Sequence, residues 1–529
     1  MELIVSRPSG ARVVQDYLAG EGAAADFYGR RFDEIASFVA KAAEVDTRFD
    51  RAARERAAAA LTVPPGADPS RLRRFVDEGG YVVTTGQQPG LYGGPLYSVY
   101  KALSAVRLAE AVEERLGKPV LPVFWVASDD HDWAEANHAD VITVDNELRR
   151  FEIDPPDPNR SPALHRISLP RQADEVLAAF CSVLPDTDFS VEFVSLLRDG
   201  YGAGSTLPGG FHTLMQAVLG RFGVYFTDAA DPVVKDRSRE LLLAELDGCE
   251  RFEEVLQATG RQLELQGYDL QVPILEGGVN LFLEGDAGRE RLYREGDGFR
   301  LRSSGEELDA AQIRARVEGD SRVLSPNVLF RPVVESAVFP TLAYVGGPGE
   351  IAYFAQVRGY FEAHGIEMPI VFPRWSATVV ESKIRKVLDK FHMELSRLAR
   401  PFHEVASEIA REEVPDDVRA AIGKLRGALG TGVSELQSAA TAVDPTLKGS
   451  VQHFRSQAFA TLEDVEKKVT AAVRRESEIT LAQLEKAQLH LYPLGKPAER
   501  VQSPLYFLTR YGGAFLDRVY EAFAVSFES

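Results

Sequence analysis

Asp129, Asp130, His131 and Asp132 place three carboxylates and an imidazole in four consecutive residues, directly after the apolar run VLPVFWVA. Carboxylates this close repel one another, which costs stability unless a cation or a polar ligand compensates. A histidine among them has its protonated form favoured and is a candidate proton shuttle. A helix N-cap explains one or two of the acids but not the histidine. Asp130, His131 and Asp132 are therefore the expected catalytic group. His131, Glu135 and His138 also stand at i, i+4 and i+7, on one helical face, which raises a metal alternative. With no thiol and on spacing alone that reading is the weaker one, and no bound structural metal is expected.

Some forty residues earlier, TTGQQPGLYGGPLYSVYK sets two glutamines in a glycine-rich turn. The glycines let a ligand approach the backbone, and Gln87 and Gln88 offer donors and an acceptor to hydroxyl or carboxyl groups. Tyr92 in this turn, Lys101 after it and Asn137 beyond the acidic cluster join them as candidate substrate contacts. A second loop, Gly346-Gly347-Pro348-Gly349-Glu350, suits a phosphate or ribose, with Glu350 facing a hydroxyl or an ammonium group, although an acid at a helix N-terminus is also common for structural reasons. Arg331 and Arg374, each beside a proline, are the expected cations for phosphate or carboxylate, or else members of structural ion pairs. Neither loop is a dinucleotide G-x-G-x-x-G or a Walker loop, which disfavours a dehydrogenase.

These loops need strands that end at one edge. Tyr81 to Thr84 reads as a short strand, Leu96 to Leu116 as a helix stopped by Gly117 and Pro119, and VLPVFWVA as a strand buried on both faces. FGVYFTDAADPVVKDRSRELLLAEL repeats strand, turn and helix, and further strands are expected up to Val345 and from Met368 to Phe372. The expected divisions are a helical segment over 1–80, core pieces over 81–140, 211–250 and 326–376, an insert over 141–210 and a small β-containing insert over 251–325. An antiparallel coiled-coil arm over 377–490 and a C-terminal segment over 491–529, packing back on the core, complete the chain. The arm rests on an a/d seam from Ile384 to Ile409, kinked at Pro401, and a weaker seam from Leu462 to Ala472 that recovers at Ile479, the two joined by a region with several glycines.

At 529 residues the chain is too long for one core. A formal charge of −19 argues against nucleic-acid binding. Two cysteines, Cys181 and Cys249, exclude a disulfide framework or a four-cysteine zinc site and suit a reducing compartment. No secretory signal and no apolar run of membrane-spanning length is present, so a cytoplasmic protein is expected.

TTGQQPGLYGGPLYSVYK, PVFWVASDDHDWAE, SPNVLFRP, YVGGPGEIAYFAQV and FPRWS, in this order over nearly the whole chain, resemble the bacillithiol biosynthesis cysteine-adding enzyme family, BshC. The resemblance implies an α/β fold with a Rossmann-like parallel-sheet core related to class I aminoacyl-tRNA synthetases, connecting-peptide inserts and a C-terminal coiled coil that forms a homodimer. It implies a ligase that adds L-cysteine to glucosaminyl-malate with ATP and Mg2+. By the same resemblance Gly346, Gly347, Gly349, Glu350, Arg500 and Tyr511 would bind the nucleotide, although Ala498 stands where the family often has glutamine. The synthetase K-M-S-K-S loop is absent, with only ESKIRK in that region. A nucleotidyltransferase acting on another small acid and a coiled-coil binding platform are the alternatives.

Overall fold

The structure, a computed structural model, describes all residues except Glu413, Ser477 and Ser529 and the side chains of Arg474, Glu476, Ile479 and Thr480. It divides into a larger unit, residues 3–378 with 499–529, and a smaller one, residues 379–498 with the first two. At the centre of the larger unit are β1 (Tyr81–Gln87), β2 (Val120–Val126), β3 (Tyr225–Asp228), β4 (Thr341–Gly346) and β5 (Ile370–Pro373). They pair in parallel in the order β3-β2-β1-β4-β5. This is the Rossmann-like, doubly wound order, whose winding reverses between β1 and β4. β1 and β2 are buried almost throughout, which is why they read as unbroken apolar runs.

β1 extends past the expected Thr84 because Gly86 and Gln87 still pair with Trp125 and Val126. A Cβ at Gly86 would lie only 3.0 Å from the Trp125 carbonyl oxygen, so the missing side chain is what lets the two backbones run together to the edge. Helix Tyr97–Leu116 follows, closed by Gly117 in the left-handed conformation. Residues 278–326 contribute a separate five-stranded antiparallel sheet, and His138–Ile142 pairs with Leu148–Glu152. The insert sheet is seated on the 161 loop by two backbone bonds, Ser161 N to Ala287 O and Arg289 N to Ser161 O, each 2.9 Å. Residues 1–80 are not wholly helical: Glu2–Ser6, rich in β-branched residues, forms a strand before the helices begin.

The smaller unit corrects the helical reading of the arm. The first seam is not one kinked helix but three, Ser382–Lys390, Leu395–Leu398 and Phe402–Glu412, with His392 at a φ of 48° in the first break. The hairpin is formed by Asp416–Val443 and Leu447–Glu476, linked by a tight turn in which Asp444 accepts the Thr446 N–H and Pro445 stops the first helix. Gly423, Gly427, Gly430 and Gly432 lie inside the first of these helices rather than between two. Along the second seam Leu462 is buried but Val465 is exposed. The recovery of that seam at Ile479 falls outside the described residues.

Two glycines distinguish the units experimentally. Gly288 sits at a φ of 114°, with the Ser161 carbonyl carbon and oxygen 2.3 Å from where a Cβ would be. Gly288→Ala should cost at least about 2 kcal/mol, read as a drop in the thermal-unfolding midpoint. Gly430 is helical with open space around it, so Gly430→Ala should stabilise the arm by about 0.5–1 kcal/mol.

Candidate functional site

A cavity of about 550 Å³ lies at the carboxyl edge of the sheet, walled by the loops after β1, β2 and β4, by β5's Arg374, and by the insert sheet. Its size suits a small-molecule site. Of the residues expected from sequence, Gln87, Gln88, Lys101, Asp130, His131 and Arg331 line it, as do Gly347, Gly349, Glu350, Arg374 and Arg500. The remaining five do not. Tyr92 is fully buried at a φ of 50°, packed against Phe180 in a tilted and Tyr201 in an edge-to-face arrangement. Asn137 is spent on Glu152 and the Ile153 carbonyl. Asp132 is the N-cap of the short helix Trp133–Ala136, accepting from the Glu135 N–H. Gly346 is the last residue of β4, its carbonyl taken by the Arg374 N–H, and Tyr511 ends the helix Leu505–Tyr511 away from the cavity wall.

The metal alternative loses its geometry here. Trp133–Ala136 is a single turn, His131 precedes it and His138 begins a strand, so the three side chains share no helical face. Among the described residues no group of three or more His, Cys, Asp or Glu is placed to hold a metal ion.

The acidic cluster is held open by cations from elsewhere in the chain. Burial pushes Asp129 up, but Lys235, 3.0 Å away and itself buried, together with Arg289, holds its carboxyl below the ordinary value. Asp130 is likewise pushed up by burial and brought well below its ordinary value by the His131 backbone N–H, by Arg289 and by the Gln88 amide. Arg289 comes from the insert, where it donates to Ser325 Oγ and the Pro326 carbonyl, both at 2.8 Å, and lies 3.9 Å over the Phe282 ring. Its remaining guanidinium nitrogen donates to His131 Nδ1 at 2.9 Å. Because arginine is only a donor, the Nδ1 lone pair is occupied and the neutral ring carries its proton on Nε2. That corrects the proton-acceptor role expected of His131: in this arrangement the ring offers a donor.

The expected cations are also engaged. The Lys101 ammonium, 1% exposed, meets Glu350 Oε2 at 2.7 Å and donates to the Gly86 carbonyl. Burial pushes the Glu350 carboxyl up, but Lys101, the Tyr344 hydroxyl and the bond accepted from the Gly347 N–H hold it below its ordinary value. The same bond closes the glycine loop: its first N–H belongs to Glu350, and the helix behind it, Pro348–Phe354, is barely two turns, so the loop is not the open phosphate cradle its sequence suggests. Arg331 is paired with Glu335 at 2.6 Å and with the hydroxyls of Tyr344 and Tyr353. Arg374 is buried against Glu499 at 2.7 Å.

What is left uncommitted was mostly not singled out from sequence. Glu135 lines the cavity, half-exposed, and has no ion pair among the described residues. Burial and the neighbouring Asp132 and Asp130 raise its carboxyl above the ordinary value, a Gln88 hydrogen bond opposing them. Tyr97, which receives the Gln87 amide at 3.0 Å, is pushed up to about 12 by burial, then Glu135 and Glu350. Arg289 and Arg291 stand two apart on one strand, and that alternation in GRERLYRE was the available signal that both face one way.

Two domain families match the chain. The N-terminal Rossmann-like domain of bacillithiol biosynthesis BshC matches residues 2–375, and the C-terminal coiled-coil domain of the same family matches residues 377–527. Curated relatives carry the name "Putative cysteine ligase BshC". One from Salinibacter ruber is 32% identical over 449 residues, 85% of this chain and 82% of its own length. One from Solibacter usitatus is 30% identical over 523 residues, 97% of this chain and 95% of its own. One from Prosthecochloris aestuarii is 32% identical over 454 residues, 83% and 80% of the two chains.

Lys235→Met should leave Asp129 ionised and unpaired in the interior, a loss of about 3–5 kcal/mol at neutral pH by denaturant unfolding. The depressed carboxyl of the parent stabilises it above the ordinary aspartate pKa, and that contribution fades as pH falls through the native value. The gap between parent and variant should therefore narrow as pH falls toward roughly 4 and close only below the parent's depressed value, where the carboxyl is protonated in every state.

Proposed function

The chain belongs to the bacillithiol biosynthesis BshC family, and from that membership we propose that it is a ligase joining the carboxyl group of cysteine to the amino group of glucosaminyl-malate. The observation carrying this reading is the match of both family domains across the chain, with the charged cavity lined by residues of the first and by Arg500. ATP with Mg2+ is the proposed co-substrate, because amide formation from a free carboxylate in water is uphill and needs a phosphate-bearing leaving group. The exposed Arg500, which has no partner among the described residues, is the side chain we assign to nucleotide phosphate.

In the bond-forming step the neutral amine attacks the activated carbonyl carbon. The C–N bond forms, the bond to the phosphate-bearing oxygen breaks with its electron pair leaving on that oxygen, and the nitrogen loses one proton. We assign that proton to Glu135. It is the acid of the cavity wall free of a cation, whereas Asp129, Asp130 and Glu350 have theirs. A carboxylate raised toward neutrality is the better base at physiological pH. His131, presenting an N–H, is suited to holding a hydroxyl or carbonyl oxygen, and Gln88 and Asp130 to orienting the sugar amine.

The arm is proposed to pair with a second copy. Its hairpin leaves Leu425, Leu436, Phe454 and Val465 exposed, more apolar surface than a solitary helical pair needs. No described helix is long and apolar enough to cross a membrane, and with two free thiols the proposed workplace is the cytosol.

Incubation with cysteine, glucosaminyl-malate and ATP-Mg2+ should yield the conjugate by mass spectrometry. AMP as the nucleotide product indicates an adenylate, ADP an acyl phosphate, and no conjugate under any nucleotide refutes the ligase reading. Glu135→Gln should lower kcat/KM by about 10²–10⁴-fold and abolish the acid limb of its pH profile, a limb lying above the ordinary glutamate range in the parent. Leu436→Glu with Phe454→Glu should shift the sedimentation coefficient from dimer to monomer.

A further inference from the structure

The cavity wall contains two buried donor atoms without acceptors. The Nε–H of Arg291 and the indole Nε1–H of Trp125 are both inaccessible and unmet, and no other buried side-chain polar atom of the wall among the described residues is in that state. Neither atom is open to the cavity itself; the Arg291 terminal nitrogens, which are not enclosed in this way, are the donors a bound molecule can reach.

Arg291 is the unusual member. It stands on the insert strand Gly288–Glu295, opposite Phe282 across the strand pair and on the same face as Arg289. Arg289 is fully committed to Ser325, Pro326 and His131, and Lys101, Arg331 and Arg374 each have a carboxylate. Among the described residues Arg291 has neither a carboxylate nor a hydrogen-bonded acceptor. Burial lowers its guanidinium below the ordinary value; Tyr293 opposes that shift and Arg302 adds to it. A largely buried guanidinium without a counter-charge is costly, and an oxyanion meeting its terminal nitrogens relieves that charge.

We infer that Arg291 anchors a carboxylate or phosphate group of a bound substrate at the insert-facing wall. The inference rests on the ligase reading for the substrates it names, cysteine, glucosaminyl-malate and ATP, each of which carries such a group. It makes the insert a specificity element rather than a cover: the strand that holds Arg289 against the acidic cluster also presents an uncommitted cation two residues later.

The test is calorimetric titration of the full chain with L-malate, cysteine, ATP and inorganic phosphate, repeated on Arg291→Gln and Arg291→Lys. In the parent at least one of these anions binds. Arg291→Gln should weaken that one by about 10–100-fold and leave the others unchanged, which identifies the source of the oxyanion. Arg291→Lys, which keeps the charge but loses the fork, should fall between. Unaltered affinities in Arg291→Gln and Arg291→Lys, or a parent that binds none of the four, would overturn the inference. Failure of the ligase reading looks different: Arg291-dependent anion binding with no conjugate formed leaves the anchor standing and removes the assigned reaction.

Discussion

The Lys101–Glu350 ion pair is the constraint from which the site is built. The ammonium is buried under the carboxyl edge of the sheet, beside the reversal between β1 and β4, and cannot be left without a carboxylate. Glu350 answers it from the loop after β4, and with its other bonds it closes that loop on the Gly347 N–H and takes the Tyr344 hydroxyl. Tyr344 in turn receives Arg331, and Arg331 holds Glu335. One buried charge thus ties the helix after β1 to the strand and loop of β4, and so holds apart the two lips between which a ligand is received.

The same logic governs the opposite lip. Three acids after β2 would be unstable together in an apolar setting, and each is answered differently. Asp129 takes Lys235, Asp130 takes Gln88 and Arg289, and Asp132 turns outward to cap a helix. The insert supplies Arg289 and with it settles the His131 tautomer, so a sheet with no share in the Rossmann-like core sets the chemistry of the core's central loop. Gly288, placed immediately before Arg289, is where the insert backbone touches the 161 loop, and its lack of a side chain is what allows that seat.

The balance of charge around the cavity is therefore one of internal pairing with a few residues left over. Paired groups give rigidity, since removing either partner exposes the other to the full desolvation penalty. The residues left over, Glu135, Arg291 and Arg500, are the ones able to change partners when substrates enter. Chemistry that moves a proton and an anionic leaving group needs both kinds, a stiff frame and a small number of uncommitted charges.

Sequence alone determined the local features: the unbroken apolar runs of β1 and β2, the glycine turns after β1 and β4, the helix stopped at Gly117 and the alternating strands of the insert. Each follows from the periodicity and turn chemistry of neighbouring residues, which the order of residues carries directly. The composition of the cavity was half legible for the same reason, since loops at strand ends gather at one edge in this fold. Tertiary structure alone decided which charges are free. Lys235 stands 106 residues from Asp129, Arg289 158 from His131 and Glu499 125 from Arg374, and no local pattern announces such pairings. It also decided that Tyr92 and Asn137 are packing residues and that the arm's glycines lie within a helix. Whether a side chain serves the fold or the ligand depends on what meets it, and that is settled only when distant segments come together.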